Sequence, residues 1–387
     1  MSCPTNQTCI GFRNANQGGQ RAKELQGMSL MKLLIGGLAF IVLTVGIFWY
    51  QFSRIQAGYE PPRWSQLQWK YLLLMLLCLP FDTLAAGVRI WVVGRVLQPG
   101  VCLWTCLKAE WANVGISMLT PSQSGGGFGQ IYILNRGGAS VGTALSISLL
   151  SFLGTMMGLL CIGIYSLFFS SIDLIGPFFY GAVLTITLII VLMILGVVCP
   201  GLFRVTVALI SRAFFKVWSR KHSLQGWWPP HKPRTGRPPE LMGPLAAKLV
   251  DLFYTYQYDI RRFVRRGKTS FVWVFLLSLT FLFSRTIMAF FCIRFLGIHA
   301  STLGYVLELQ MALIFLIYFA PTPGGSGLAE GVSLSIMAAV VPIGFAPYYN
   351  LLWRCSTLYL SAILGLSCMA RTVARDVRTV ILHRQTR

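Results

Sequence analysis

The sequence predicts an all-α polytopic membrane protein. About six full transmembrane helices are joined by two re-entrant helix–loop–helix elements in an inverted-topology repeat. Three observations carry this expectation. Of 387 residues, 55% are hydrophobic and only 11% charged, with a mean hydropathy of +0.65, whereas a soluble domain carries about 25% charged residues. Several stretches of about 20 residues hold little or no charge, the length needed to cross a bilayer. Two apolar runs are broken by glycine- and proline-rich segments, TPSQSGGGFGQ near residue 125 and FAPTPGGSGLAEG at 319–331.

Taken in order, residues 1–29 are polar for too long to be a signal peptide, so the apolar segment that follows is expected to be retained as a helix. The first membrane half, 30–200, holds spans at 31–50, 69–93, 141–169 and 174–198. Trp69 and Tyr71 at the start of the second suit the membrane interface. Within this half, 101–138 is the first re-entrant element. Residues 201–268 form a polar, basic module whose GWWPPHKPRTGRPPE stretch has five prolines and so resists continuous helix. The second half, 269–372, has spans at 271–296 and 351–369 around a second re-entrant element, 301–341. Residues 373–387 are a basic tail.

Charge orients this layout. Net charge is +22, from 33 Lys/Arg against 11 Asp/Glu, with fourteen basic residues in 204–268 and five in 371–387. If the two glycine-rich elements enter and return on the same side, the N-terminus (Arg13, Arg21, Lys23, Lys32), the basic module and the tail share one face. Arg54, Glu60, Arg63, Asp173 and His299 lie on the other. The positive-inside rule then puts both termini in the cytoplasm of a cell (inner or plasma) membrane protein. Basic residues gathered in loops in this way argue against nucleic acid as a partner. The ten cysteines form no CxxC pair, and the four histidines form no constellation, so no metal or other cofactor is expected.

Residues 121–130 (PSQSGGGFGQ) and 321–330 (PTPGGSGLAE) align without a gap at an offset of 200. That register matches Pro121 to Pro321, Gly125 to Gly325 and Gly127 to Gly327, and sets Gln130 opposite Glu330. Three spans between the copies would turn them to opposite sides, the plan of transporters with a site near the midplane. Broken backbone at membrane depth is tolerated where it is buried or lines a wet cavity. A helix starting after such a break presents free N–H groups and its positive dipole end, which suits an anion. Small residues at these positions could equally serve close helix packing.

Charges at membrane depth are costly and so should face a cavity or one another. Asp82 and Arg89 share a face of the second span, Arg285 is mid-span, and Arg354 begins the last span. Glu110 and Glu308 precede the breaks, and Glu330 ends the second. Arginine matches phosphate oxygens bidentately. Arg89, Arg285 and Arg354 with Ser124, Gly125, Gly126, Gly127, Gln130, Pro323, Gly324, Gly325, Ser326, Gly327 and Glu330 are therefore the candidate substrate-binding residues. Asp82 and Glu330 are candidate proton carriers. Purely structural pairing, Asp82 with Arg285 or Glu330 with Arg354, is the alternative. The Arg261–Arg266 run with its neighbouring aromatics reads as a surface for anionic lipid headgroups or simply as an orientation signal.

PTPGGSGLAE, TPSQSGGGFGQIYILNRGG and the arginine in LLWRCSTLYL together resemble the flippase-like membrane family that includes the transmembrane domain of lysylphosphatidylglycerol synthase. The resemblance covers about 30–372 and implies translocation of an anionic, aminoacylated or polyprenyl-phosphate lipid between leaflets. By position it carries over to Pro323, Gly324, Gly325, Gly327, Glu330 and Arg354. Gln130 stands where the family often has an acid. The sixteen residues after Arg371 are too few for the soluble aminoacyl-transferase domain, so a non-enzymatic role is expected. No GxxxxGK[ST] motif occurs, so gradients or coupled ions would drive transport. Two other readings stay open: a secondary transporter of a small soluble anion, and a non-transporting partner of a lipid-modifying enzyme. Oligomeric state is not predicted.

Overall fold

A computed structural model describes residues 30–53, 63–169, 177–198, 244–299 and 301–385. The polar N-terminus 1–29, residues 54–62 and 170–176, and the proline-rich part of the basic segment, 199–243, lie outside the described residues.

The described chain is all helical. In order it forms α1 (Leu30–Ser53), α2 (Trp69–Leu97), α3 (Leu103–Leu119), α4 (Gly126–Arg136), α5 (Val141–Phe169), α6 (Pro177–Val198), α7 (Pro244–Arg266), α8 (Lys268–Phe295), α9 (Leu303–Ile317), α10 (Leu328–Met337), α11 (Ala346–Arg354) and α12 (Leu360–Gln385). Five stretches among the described residues are long and apolar enough to cross a membrane, in α1, α2, α5, α8 and the joined α11–α12. The sixth expected span, α6, keeps a shorter apolar stretch, Phe179–Leu195. The chain is a multi-pass membrane protein. Its lipid-facing character is clearest on α1, where Ile35, Leu38, Ile41, Val42, Val45 and Trp49 are all exposed. In water a patch of that size would be a binding or aggregation surface, whereas hydrocarbon solvates it.

Residues 244–266 depart from the expected polar module. They form one amphipathic helix, α7, that buries Tyr256, Ile260 and Phe263 against the cluster shared with α2 and α5. The apolar positions recur at i, i+4 and i+7, one face of a 3.6-residue period.

α3 lies at the centre of the bundle and is approached closely on several sides. A Cβ at Gly365 of α12 would overlap the Trp111 carbonyl oxygen, and one at Gly36 of α1 would overlap that of Leu119. Gly126 and Gly129 of α4 press on Asn113, Ser117 and the Ala112 carbonyl. Small residues let helix backbones meet in this way where no hydrophobic force separates lipid from protein. Two further features shape the bundle near its charges. Pro80, which lacks an N–H, sits inside α2 two residues before Asp82. A π-helical turn, Cys355–Tyr359, follows Arg354 directly, and such turns often mark functional positions.

Candidate functional site

Both breaks fold into a 3-10 turn that begins with proline and leads into a short helix. The first is Pro121–Gln123 before α4, and the second Pro323–Gly325 before α10. Their backbones correspond at an offset of 202, not 200. Pro121 pairs with Pro323, Ser124 with Ser326, the N-caps Gly125 and Gly327 with each other, and Gly129 with Gly331. Two left-handed residues in each turn share this register, Ser122 and Gln123 (φ 52° and 55°) answering Gly324 and Gly325 (φ 58° and 69°), whereas the N-caps differ, Gly327 at φ 82° against Gly125 at φ −78°. The expected pairing of Gln130 with Glu330 is thereby corrected, since Gln130 corresponds to Val332. An ungapped match scored on composition cannot see a two-residue difference in the chain entering each turn.

The two turns touch. The Ser122 N–H donates to the Pro321 carbonyl at 3.3 Å, and Phe40 of α1 and Met118 of α3 close over Gly324. Ser122 and Gln123 hold a left-handed conformation that glycine adopts at far lower cost, so the first break is the more strained of the two.

Around the second break most polar groups are satisfied from within the chain, Thr322 Oγ1 being an exception. Glu330, fully buried, accepts from Arg354 Nε at 2.8 Å through Oε1 and from the Gly327 N–H at 2.7 Å through Oε2. Arg354 also donates to the Gly324 carbonyl at 2.8 Å. Gly325 N–H goes to the Thr322 carbonyl and Ser326 N–H to that of Pro323. α1 completes the cluster: Thr44 Oγ1 lies 3.1 Å from Ser326 Oγ, and Gln51 Nε2 donates to the Glu330 carbonyl. Gln51 Oε1 accepts from Asn350, which in turn accepts from Ser333. Thr44, Gln51, Ser333 and Asn350 are absent from the sequence-based set. Thr44 and Gln51, seven residues apart in an otherwise apolar span, were the available signal.

At the first break, Gly125 N–H donates to Thr120 Oγ1 at 2.9 Å, and exposed Ser124 donates to the Pro121 carbonyl. Buried Gln130 accepts from Ser148 Oγ at 2.6 Å, and Gly127 lies beside the same hydroxyl. No acid occupies the first turn of α4, whereas Glu330 occupies that of α10. A carboxylate there neutralises the positive end of a helix, so only the α4 end keeps its dipole unopposed.

The other charges form a second cluster on α2, α3, α5 and α8. Asp82 Oδ1 accepts from Ser284 at 2.9 Å and from Arg285 Nε at 3.4 Å. Arg89 donates to Thr155 Oγ1 at 2.6 Å and Ser278 Oγ at 3.3 Å, and stands 3.9 Å from Glu110. Phe281 lies between the two guanidiniums, 5.2 Å from that of Arg89 and 4.3 Å from that of Arg285. Such stacking is favourable for arginine, increasingly so as water is excluded. The Arg285 side chain is 23% exposed against 5% for Arg89. Arg354 thus belongs to a different cluster from Arg89 and Arg285. Tyr318, just before the second break, lies within electrostatic range of Arg89, Arg285 and Glu110. Among the described residues, no group of three or more His, Cys, Asp and Glu is placed to hold a metal.

Comparison with curated proteins gave no match, and neither did comparison with solved structures. A family profile does match: the lysylphosphatidylglycerol synthase transmembrane region, over residues 33–365. That range takes in α2 to α11, both breaks and both charged clusters, and so covers most of the chain. This multi-pass membrane chain therefore belongs to the family of the lysylphosphatidylglycerol synthase transmembrane region.

Proposed function

We propose that the chain translocates a phosphate-bearing lipid, anionic, aminoacylated or polyprenyl-phosphate, between membrane leaflets. In this reading the headgroup passes the meeting point of the two breaks while the acyl chains stay in hydrocarbon. The observation that carries it is the backbone contact between the two glycine–proline turns of an apolar helical bundle, the second of them bonded to buried Arg354.

The element lengths support a re-entrant layout. α4 has eleven residues and α10 ten, about 16 and 15 Å at 1.5 Å per residue. Neither crosses a hydrocarbon core of about 30 Å. With both pairs, α3–α4 and α9–α10, entering and returning, the basic segment and both termini face the cytoplasm, and the breaks approach from opposite sides. Of the three arginines, Arg285 is the first contact for a phosphate because it is the most exposed and rests on an aromatic face. The unopposed N-terminus of α4 is the complementary helix end. Arg354 and Glu330 hold the second break in shape. The basic helix α7, with exposed Tyr258 and Val264 beside Arg261 and Arg265, rests on anionic headgroups of the inner leaflet.

The test is dithionite quenching of NBD-labelled phosphatidylglycerol in liposomes holding the full chain. Wild-type protein should expose inner-leaflet label, and Arg285→Gln should slow this by about tenfold or more, the loss of about 1.4 kcal/mol expected for one charge-assisted contact. Unchanged exposure in a folded Arg285→Gln or Gly325→Leu protein rejects the proposed path. A chain that moves free phosphate but no labelled lipid is a transporter of soluble anions.

A further inference from the structure

The charged cluster on α2, α3 and α8 contains two buried polar atoms without a hydrogen bond. Glu110 and Arg89 are each 4% exposed. Glu110 Oε2 and Arg89 Nε are buried and make no hydrogen bond. Buried polar atoms are bonded in the great majority of cases, and each exception asks for an explanation. The pair is also the loosest ionic contact in the membrane region, 3.9 Å, against 3.4 Å for Arg285–Asp82 and 2.8 Å for Arg354–Glu330. Asp82 has Ser284 and Arg285, and Glu330 has Arg354 and the Gly327 amide. Among the membrane-embedded carboxylates of the described residues, only Glu110 keeps a buried oxygen without a hydrogen bond.

We propose that Glu110 is a proton-binding site coupled to phosphate at Arg89. This rests on the reading of the chain as a phosphate-lipid carrier and names the ion that moves with it. With no phosphate bound, Arg89 is balanced by ionised Glu110. When a phosphate monoanion enters, Arg89 turns its unused Nε–H to a phosphate oxygen and Glu110 takes one proton from water. One anion and one proton are taken up together, and one of each leaves on release. The cluster, two arginines and two carboxylates, is charge-balanced before and after. Without the proton it would hold an uncompensated buried anion, the costliest arrangement in a low-dielectric interior.

The surroundings fit this exchange. From α2 the carboxyl faces Arg89 and Asp82, from α8 Arg285, and from the end of α9 Tyr318. α4 and α12 meet α3 through Gly126, Gly129 and Gly365; of their charged residues, Arg136 and Asp376 pair with each other, and Arg371, Arg375 and Arg378 of α12 are exposed. On α3 itself the Asn113 side chain neighbours Glu110. Its Oδ1 occupies the place a Gly126 side chain would take. The proton site is thus one side chain away from the first break.

The experiment is a pH titration of the full chain in phosphatidylcholine vesicles, read by infrared difference spectroscopy of the protonated carboxyl C=O stretch. Three additions are compared: none, phosphatidylglycerol in the membrane, and inorganic phosphate in the buffer. A carboxyl band absent from Glu110→Gln is expected, with its midpoint moved up by about one pH unit, about tenfold in proton affinity, when the phosphate source is recognised. A response to phosphatidylglycerol alone names a lipid headgroup, and a response to inorganic phosphate names a soluble anion. Arg89→Gln is the second variant: without its cation, Glu110 should show the band at neutral pH with nothing added. No band in wild type at any pH, the same band in Glu110→Gln, or no band in Arg89→Gln at neutral pH overturns the proposal. So does a midpoint that ignores both phosphate sources. A phosphate-responsive band in a chain that moves no NBD-lipid refutes the translocation reading and leaves the proton site standing.

Discussion

The Arg354–Glu330 pair is the sharpest test of how the second break is held. Replacing Arg354 with methionine keeps most of the side-chain volume but leaves Glu330, 0% exposed, as an unpaired buried carboxylate. It also strips the Gly324 carbonyl of its donor. Breaking a buried ion pair from one side costs about 3–5 kcal/mol, and Glu330→Leu should cost about the same by stranding Arg354. If the two losses were independent, the double variant would cost about 6–10 kcal/mol. Removing both charges leaves only two orphaned backbone groups, the Gly327 N–H and the Gly324 carbonyl. At about 1–3 kcal/mol for each buried unsatisfied group, the double variant should cost about 2–6 kcal/mol. The coupling is therefore about 4 kcal/mol in favour of the pair. Reversible unfolding in mixed detergent micelles, followed by circular dichroism, gives all four corners of the cycle. Additive singles, or an Arg354→Met cost below about 1 kcal/mol, would refute the assignment of this pair as the clasp of the break.

Three further outcomes follow from the packing and the charges. Gly365→Ala should destabilise by about 1–3 kcal/mol in the same unfolding assay, since the added carbon meets rigid backbone at Trp111. Gly46→Ala, in open space, should be neutral or gain up to about 1 kcal/mol. Asp376→Ala removes the partner of Tyr132 and Arg136; the partly exposed pair should be worth less than about 1 kcal/mol, yet hydrogen exchange should quicken at the C-terminal end of α4. On α7, burial pushes the Asp259 carboxyl above its ordinary 3.8, with Ser146, Thr143 and Arg262 pulling it back. The folded state then holds that proton more tightly than the unfolded one, so the Asp259 contribution to stability is present in acid and lost as pH rises through the elevated value. Asp259→Asn should flatten that part of a melting-temperature profile, and an unchanged difference between acid and alkaline pH would count against it.

The span pattern is legible from hydropathy because lipid removes the alternation that water imposes; residues 31–50 and α1 nearly coincide for that reason. α7 is not legible in the same way. Its apolar face at Tyr256, Ile260 and Phe263 is diluted by Lys248, Asp251, Asp259 and the arginine run, so average composition reads polar while the 3.6-residue period carries the information. The breaks are intermediate. Glycine and proline locate the turns, but the register depends on which residues take positive φ. In the first turn those are Ser122 and Gln123, whose side chains give no warning of it.

The arginines show the same limit and lead to a physical conclusion. Counted along the sequence, Arg89, Arg285 and Arg354 are three positive charges near two helix ends. In the folded chain each stands beside a carboxylate: Glu110, Asp82 and Glu330. The membrane interior forces this outcome, because an unpaired guanidinium there is costly and a resting site cannot wait as bare cation. An anion that enters must therefore displace a carboxylate or arrive with a proton, and the pairs differ in how readily they allow it. Arg354–Glu330 is short and fully bonded, and so resists. Arg285–Asp82 is supported by Ser284 but is the most exposed, and so yields to a ligand arriving from outside. Arg89–Glu110 is buried, long and only half bonded, and so changes partners at the lowest cost. In the proposed translocation, the anion would therefore meet Arg285 first, exchange next at Arg89, and leave the Arg354–Glu330 clasp of the second break intact.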